Sequence, residues 1–213
     1  MDFPELGRDW YGRFASSTYS LRFELGGEEF NNQTQSVPRF VQAFDRARCI
    51  ADDLFQSICP LIAIVGFWTL EKRELVYRKR KKDKNGLDIL KAMGFESGLP
   101  VAEWLTKPPG TEEGEDYSLI NWAAFDVSNN KTMRDVLIWG AITREMLIEP
   151  KVPAEIYLYS PKTEAVMGIY DDRGMDIKAL TAEPLLGIYQ DFDKWLLDYD
   201  RPRITAAFSS TTS

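Results

Sequence analysis

Apolar and polar positions along the chain alternate in some stretches and recur at helical spacing in others. Tyr19, Leu21, Phe23 and Leu25 stand opposite Arg22 and Glu24, which predicts a strand with one wet face over Thr18 to Leu25. A short helix over Phe3 to Phe14 precedes it. After a Gly26-Gly27 loop, Ser36 is placed to cap a helix carrying Pro38 in its first turn. Its stripe is Val37, Phe40, Val41, Phe44, Ala47, Ala51, Leu54, Phe55 and Ile58, with Arg39, Asp45, Arg46 and Asp52 elsewhere on the wheel. Leu61 to Leu70 is almost uniformly apolar and reads as a central strand covered on both faces. It is expected to turn at Glu71 to Arg73 into a hairpin partner at Leu75 to Tyr77.

Asn85-Gly86 marks a turn before a short helix, Leu87 to Met93, which Gly94 would terminate. Glu96 to Asp116 holds Gly98, Pro100, Pro108, Pro109, Gly110 and Gly114 and is the most loop-like interior stretch. A strand over Ser118 to Val127 follows. Asn130 or Thr132 then caps a helix with Met133, Val136, Leu137, Gly140, Ala141 and Leu147 on its apolar side, ended by Pro150 and Pro153. Glu155 to Tyr159 and Ala165 to Tyr170 form a hairpin around Ser160-Pro-Lys-Thr163, and the turn Asp171 to Gly174 leads into Met175 to Leu180. A last helix runs from Thr181 to Asp200, with Leu185, Ile188, Tyr189, Phe192, Trp195, Leu196 and Tyr199 as its stripe. Hairpins mixed with helices predict a single α+β domain over 1–208, an antiparallel or mixed sheet with helices on its faces, and a polar tail at 209–213.

Composition narrows the chemistry. The chain is 213 residues, 44% apolar and 13% aromatic, enough for a substantial core, and 33 Asp and Glu against 26 Lys and Arg give a net charge of -7. That balance repels a phosphate backbone, so nucleic acid is not an expected partner. The first ten residues lack the basic and apolar regions of an export signal, and the apolar stretch Cys59 to Trp68 is too short to span a bilayer. The expected setting is the cytoplasm, with Cys49 and Cys59 as free thiols and no membrane partner. There is no histidine, which removes Ser-His-Asp, Cys-His and His-metal chemistry, and no glycine-rich nucleotide cradle. No cofactor is expected.

Carboxylate chemistry remains. Asp171, Asp172, Arg173 and Asp176 concentrate charge in one turn, where acidic groups can hold Mg²⁺ or work as an acid and base pair. Turn chemistry explains the same residues: Asp171 and Asp172 shape the turn, Gly174 supplies a positive φ, and Arg173 pairs with a carboxylate such as Asp198 or Asp200. The acidic cluster Glu112, Glu113, Glu115 and Asp116 is either an exposed loop or a grip for a basic partner. The basic run Arg78 to Lys84 reads as a solvated hairpin tip, against a phosphate contact or localisation signal. Trp139, Tyr189, Phe192 and Trp195 fall at core positions of helices, whereas Trp10, Trp104 and Tyr117 are freer to serve a binding surface.

The signatures Asp171-Asp-Arg-Gly-x-Asp176 and Trp195-Leu-Leu-Asp-Tyr-Asp-Arg201, with Leu21-Arg-Phe-Glu-Leu-Gly26 and Arg39-Phe-Val-Gln-Ala-Phe-Asp-Arg-Ala-Arg48, resemble a bacterial domain-of-unknown-function family, numbered 3885. The resemblance spans most of the chain and implies a bacterial cytoplasmic protein without an assigned reaction. Small acidic bacterial proteins lacking catalytic motifs are often immunity proteins, an analogy of size, charge and missing chemistry. The expectation is therefore a protein-binding immunity or inhibitor protein, with a cognate toxin as partner and Glu112 to Asp116 and Asp171 to Asp176 facing it. The alternative is a carboxylate-dependent enzyme or small-ligand binder centred on Asp171 to Asp176.

Overall fold

The computed structural model describes residues 6–27, 37–56, 60–68, 85–107 and 119–209. Among these residues seven strands form one antiparallel sheet: β1 (Ser20–Glu24), β2 (Ile62–Trp68), β3 (Ala102–Thr106), β4 (Ile120–Asp126), β5 (Glu155–Ser160), β6 (Ala165–Ile169) and β7 (Gly174–Ala179), in the order β1-β7-β6-β5-β2-β4-β3. The α+β class is as the patterning requires. β2 lies between β4 and β5 and is buried on both faces, which is why its sequence is a run of apolar residues without alternation. The hairpin partner expected at Leu75 to Tyr77 lies outside the described residues.

Among the described residues the helices are α1 (Gly12–Ala15), α2 (Val37–Leu54), α3 (Gly86–Ala92), α4 (Lys131–Thr143), α5 (Leu186–Asp191) and α6 (Arg201–Ser209). One sheet face carries Phe23, Val65, Phe125, Leu158, Met167 and Ile177, and the helical layer packs there through residues such as Ile50, Leu137, Ile188 and Phe208. The opposite face has a smaller core, where Trp10 and Phe14 cover Ile62, Ile64, Trp122 and Tyr159. Trp10 is thus core and not a surface anchor, and Trp104 stacks on Trp122 with centroids 6.3 Å apart. Tyr117 lies outside the described residues.

Several boundaries differ from the patterning. Of the N-terminal helix expected over Phe3 to Phe14, residues 3–5 lie outside the described residues, and from residue 6 on only the single turn α1 is helical. On α2 the buried stripe is Arg39, Phe40, Ala43, Ala47, Ile50, Ala51 and Leu54, while Val37 and Val41 are exposed. α3 is capped by Asn85, whose side chain accepts from the Asp88 N–H, and stops at Gly94, φ +98, where the Phe95 N–H closes on the Leu90 carbonyl. Within the loop-like stretch Glu96 to Asp116, Ala102–Thr106 is an edge strand. Asn130 caps α4, which ends at Thr143, well before Pro150.

The long C-terminal helix is broken. After α5 the chain makes one 3-10 turn at Asp193–Trp195, then turns extended at Leu196 and Leu197. There the Leu197 N–H donates to the Arg22 carbonyl at 2.9 Å and Leu196 bridges Phe23, which covers the free edge of β1. Backbone pairing with an edge strand outcompetes continued helix. A further 3-10 turn, Asp198–Asp200, feeds α6, so Pro202 sits in the first turn of a helix and not beyond the last one. Residues 210–213 of the polar tail lie outside the described residues.

Candidate functional site

The β6 to β7 hairpin places the Asp171 to Asp176 turn at the β1 end of the sheet, beneath the N-terminal end of α2 and beside the C-terminal segment. Asp171 is fully buried. Its Oδ1 accepts the Arg173 N–H at 2.8 Å, an Asx-turn bond, and its Oδ2 accepts Arg173 Nε at 2.9 Å. Arg173 also reaches Glu145 at 3.3 Å. It does not pair with Asp198 or Asp200: those carboxylates meet Arg201 and Arg22 instead, at 3.1 and 3.2 Å.

Gly174 has no positive φ. Its role is close approach: a Cβ there would sit 2.9 Å from the Phe23 carbonyl oxygen and 3.1 Å from the Tyr170 ring.

The other two carboxylates of the turn are held from outside it. Asp172 pairs with Arg39 of α2, both side chains 5% exposed. Asp176 of β7 stands directly across from Arg22 of β1, whose Nε and Nη2 donate to its two oxygens at 2.8 and 3.1 Å. The Tyr170 hydroxyl donates to the same carboxylate. Burial and the adjacent Asp176 push the Tyr170 pKa up, while the Asp176 hydrogen bond, against some desolvation, holds the Arg22 pKa up. Arg22 also contacts the buried Asp200, which Arg203 approaches at 3.5 Å. Arg203, Asp200, Arg22 and Asp176 thus alternate in charge and tie the C-terminal segment, β1 and β7 together, while the Arg39–Asp172 pair separately ties α2 to the turn.

A groove of about 520 Å³ opens beside this network, lined by Arg22, Glu24, Arg39, Tyr170, Arg173 and Leu197 among others. No group of three or more acidic or cysteine side chains placed to hold a metal ion occurs among the described residues. Glu112, Glu113, Glu115 and Asp116 lie outside them, as do Cys59 and the run Arg78 to Lys84, so the structure brings together only one of the two expected partner-facing groups. Cys49 is a free, exposed thiol on α2. No helix among the described residues is long and apolar enough to cross a membrane.

Patterning missed Arg39, Arg22 and Tyr170. For Arg22 and Asp176 the signal was available only through strand register, and Arg39 gave none beyond being a charge near a helix start.

A single antiparallel sheet with one helical layer, clamped at one end by arginine and carboxylate pairs, defines an α+β protein whose hallmark turn is structural in its bonding. Residues 2–200 match the model of a domain of unknown function, DUF3885, and the chain belongs to that family. No curated protein and no solved structure matches the chain.

Proposed function

We propose that the chain is a protein-binding inhibitor of the immunity type, which neutralises a bacterial toxin in the cytoplasm by occluding it. One observation carries this reading: each carboxylate of the Asp171 to Asp176 turn is held by an arginine of the same chain. Acid and base catalysis or Mg²⁺ binding there would require breaking a bond that builds the fold. A carboxylate-dependent enzyme centred on this turn is therefore the weaker reading. The net charge of -7 favours a cationic partner.

The turn offers Arg173, its side chain 69% exposed, to an incoming surface, and Tyr199, 88% exposed, stands next to the Asp200 that Arg22 holds. Co-expression of the chain with the product of the adjacent gene tests the proposal. The expected result is a complex stable to size-exclusion chromatography and relief of toxicity, with Tyr199→Ser weakening the complex while leaving the melting temperature unchanged. Absence of both complex and relief overturns it.

A further inference from the structure

Beside the first residues of β5, the end of β6 and the C-terminal end of α4 lies a cleft of about 210 Å³, lined by Tyr11, Arg144, Glu155, Tyr157, Tyr170 and Asp176 among others. Its floor is Gly168, where a Cβ would come 2.8 Å from the Tyr157 ring, so the glycine lets that ring lie flat against β6 and keeps the cleft open. Asp176 and Tyr170 are already committed to Arg22 and to each other.

Arg144 and Glu155 are not. The nearest carboxylate to Arg144 is that of its sequence neighbour Glu145, at 3.9 Å, and among the described residues Arg144 makes no hydrogen bond. Glu155 has neither an ion pair nor a side-chain hydrogen bond among them, and the two opposite charges line one cleft without pairing. The Tyr157 hydroxyl is likewise without a hydrogen-bond partner there; burial, and then Glu155, push its pKa up, which keeps it a neutral donor.

A guanidinium fork and a carboxylate held apart in a half-enclosed space are satisfied together by one molecule carrying both charges. A simple anion or cation would desolvate one of them unpaired. The Tyr11 and Tyr157 rings, 5.2 Å apart, add aromatic surface; Lys178 already lies 5.2 Å over Tyr11, which leaves Tyr157 to meet a cation. The volume is below the usual range of roughly 300–1,000 Å³ for drug-sized sites, so the occupant is small.

We propose that this cleft binds a small zwitterion of the α-amino acid class, its carboxylate on Arg144 and its ammonium on Glu155 against Tyr157. The inference stands independently of the toxin reading. Thermal melts and calorimetric titration of the full chain against the proteinogenic amino acids, with acetate and methylamine as single-charge controls, test it. One or a few amino acids are expected to raise the melting temperature saturably. Arg144→Gln and Glu155→Gln should each weaken binding by about tenfold or more while keeping the unliganded melt, since neither side chain makes a hydrogen bond among the described residues and Arg144 has only the long contact to Glu145. The proposal is overturned if no amino acid shifts the melt at about 10 mM, if acetate binds as well as any zwitterion, or if both variants bind like the parent.

Discussion

Arg39 and Asp172, 133 residues apart in the chain, form an ion pair with both side chains almost fully excluded from water. The pair joins the first turn of α2 to the β6 to β7 turn. Two charges in that position stabilise most while both are present, because truncating one leaves the other buried without the opposite charge it was built against. Asp172→Asn is expected to destabilise the chain by about 3 kcal/mol, read from chemical denaturation. The double replacement Arg39→Met with Asp172→Leu should recover most of that loss. A single mutant within about 0.5 kcal/mol of the parent would show that the pair is not the clamp described.

Gly174 and Gly187 make opposite predictions from the same substitution. At Gly174 a methyl meets the Phe23 carbonyl oxygen, which belongs to the backbone of β1 and cannot rotate away. Gly174→Ala should cost about 1–3 kcal/mol through overpacking. Gly187 lies in α5 with nothing within 4 Å, so Gly187→Ala should add about 0.5–1 kcal/mol by restricting the unfolded chain and favouring helix. Melting of the two variants side by side checks both.

The parts of the fold legible in the sequence are those set by local burial. The strands β2, β4 and β6 announce themselves because their side chains are buried in runs, and β1 because one of its faces is wet. What stayed hidden depends on distant pairing. The apolar spacing from Leu185 to Tyr199 suits one helix, yet Leu196 and Leu197 leave it to pair with β1, a choice that no local pattern encodes. β3 is masked by Gly98 and Pro100 before it and Pro108 after it, and as an edge strand it exposes Glu103 and Leu105 on one face. In the turn, the residue types were readable as turn chemistry, but the partners were not. Arg39 sits on the buried side of α2 only because Asp172 is brought to it.

The C-terminal helix α6 is part of the core. Phe208 is 1% exposed, stacks on Tyr189 at 5.0 Å and meets Tyr19 edge-on at 5.9 Å. Phe208→Ala should therefore cost about 3–5 kcal/mol, the range for an aromatic lost from a packed interior, and the melt should fall accordingly. A change below about 0.5 kcal/mol would mean that α6 frays in solution.

Asp135 gives a prediction with a sign. Its Oδ1 is buried without a partner, and burial raises its pKa, outweighing the attraction of Arg134, Lys131 and Arg48; Asp52 adds a smaller repulsion. A raised pKa means that the folded chain holds the proton more tightly than the unfolded one. Stability is then lost as pH rises from the ordinary aspartate value of about 3.9 through the folded value, and the penalty is complete at neutral pH. Asp135→Asn removes the charge and should stabilise the chain at pH 7 by a few tenths of a kcal/mol up to about 1, because solvent screening weakens the effect at a partly exposed group. That gain should shrink toward zero as pH falls through the carboxylate range, because the parent then carries a neutral acid at the same position. Denaturation midpoints of both proteins across that range provide the measurement. If Asp135→Asn destabilises at pH 7, attraction to the three cations outweighs burial and the assigned direction is wrong.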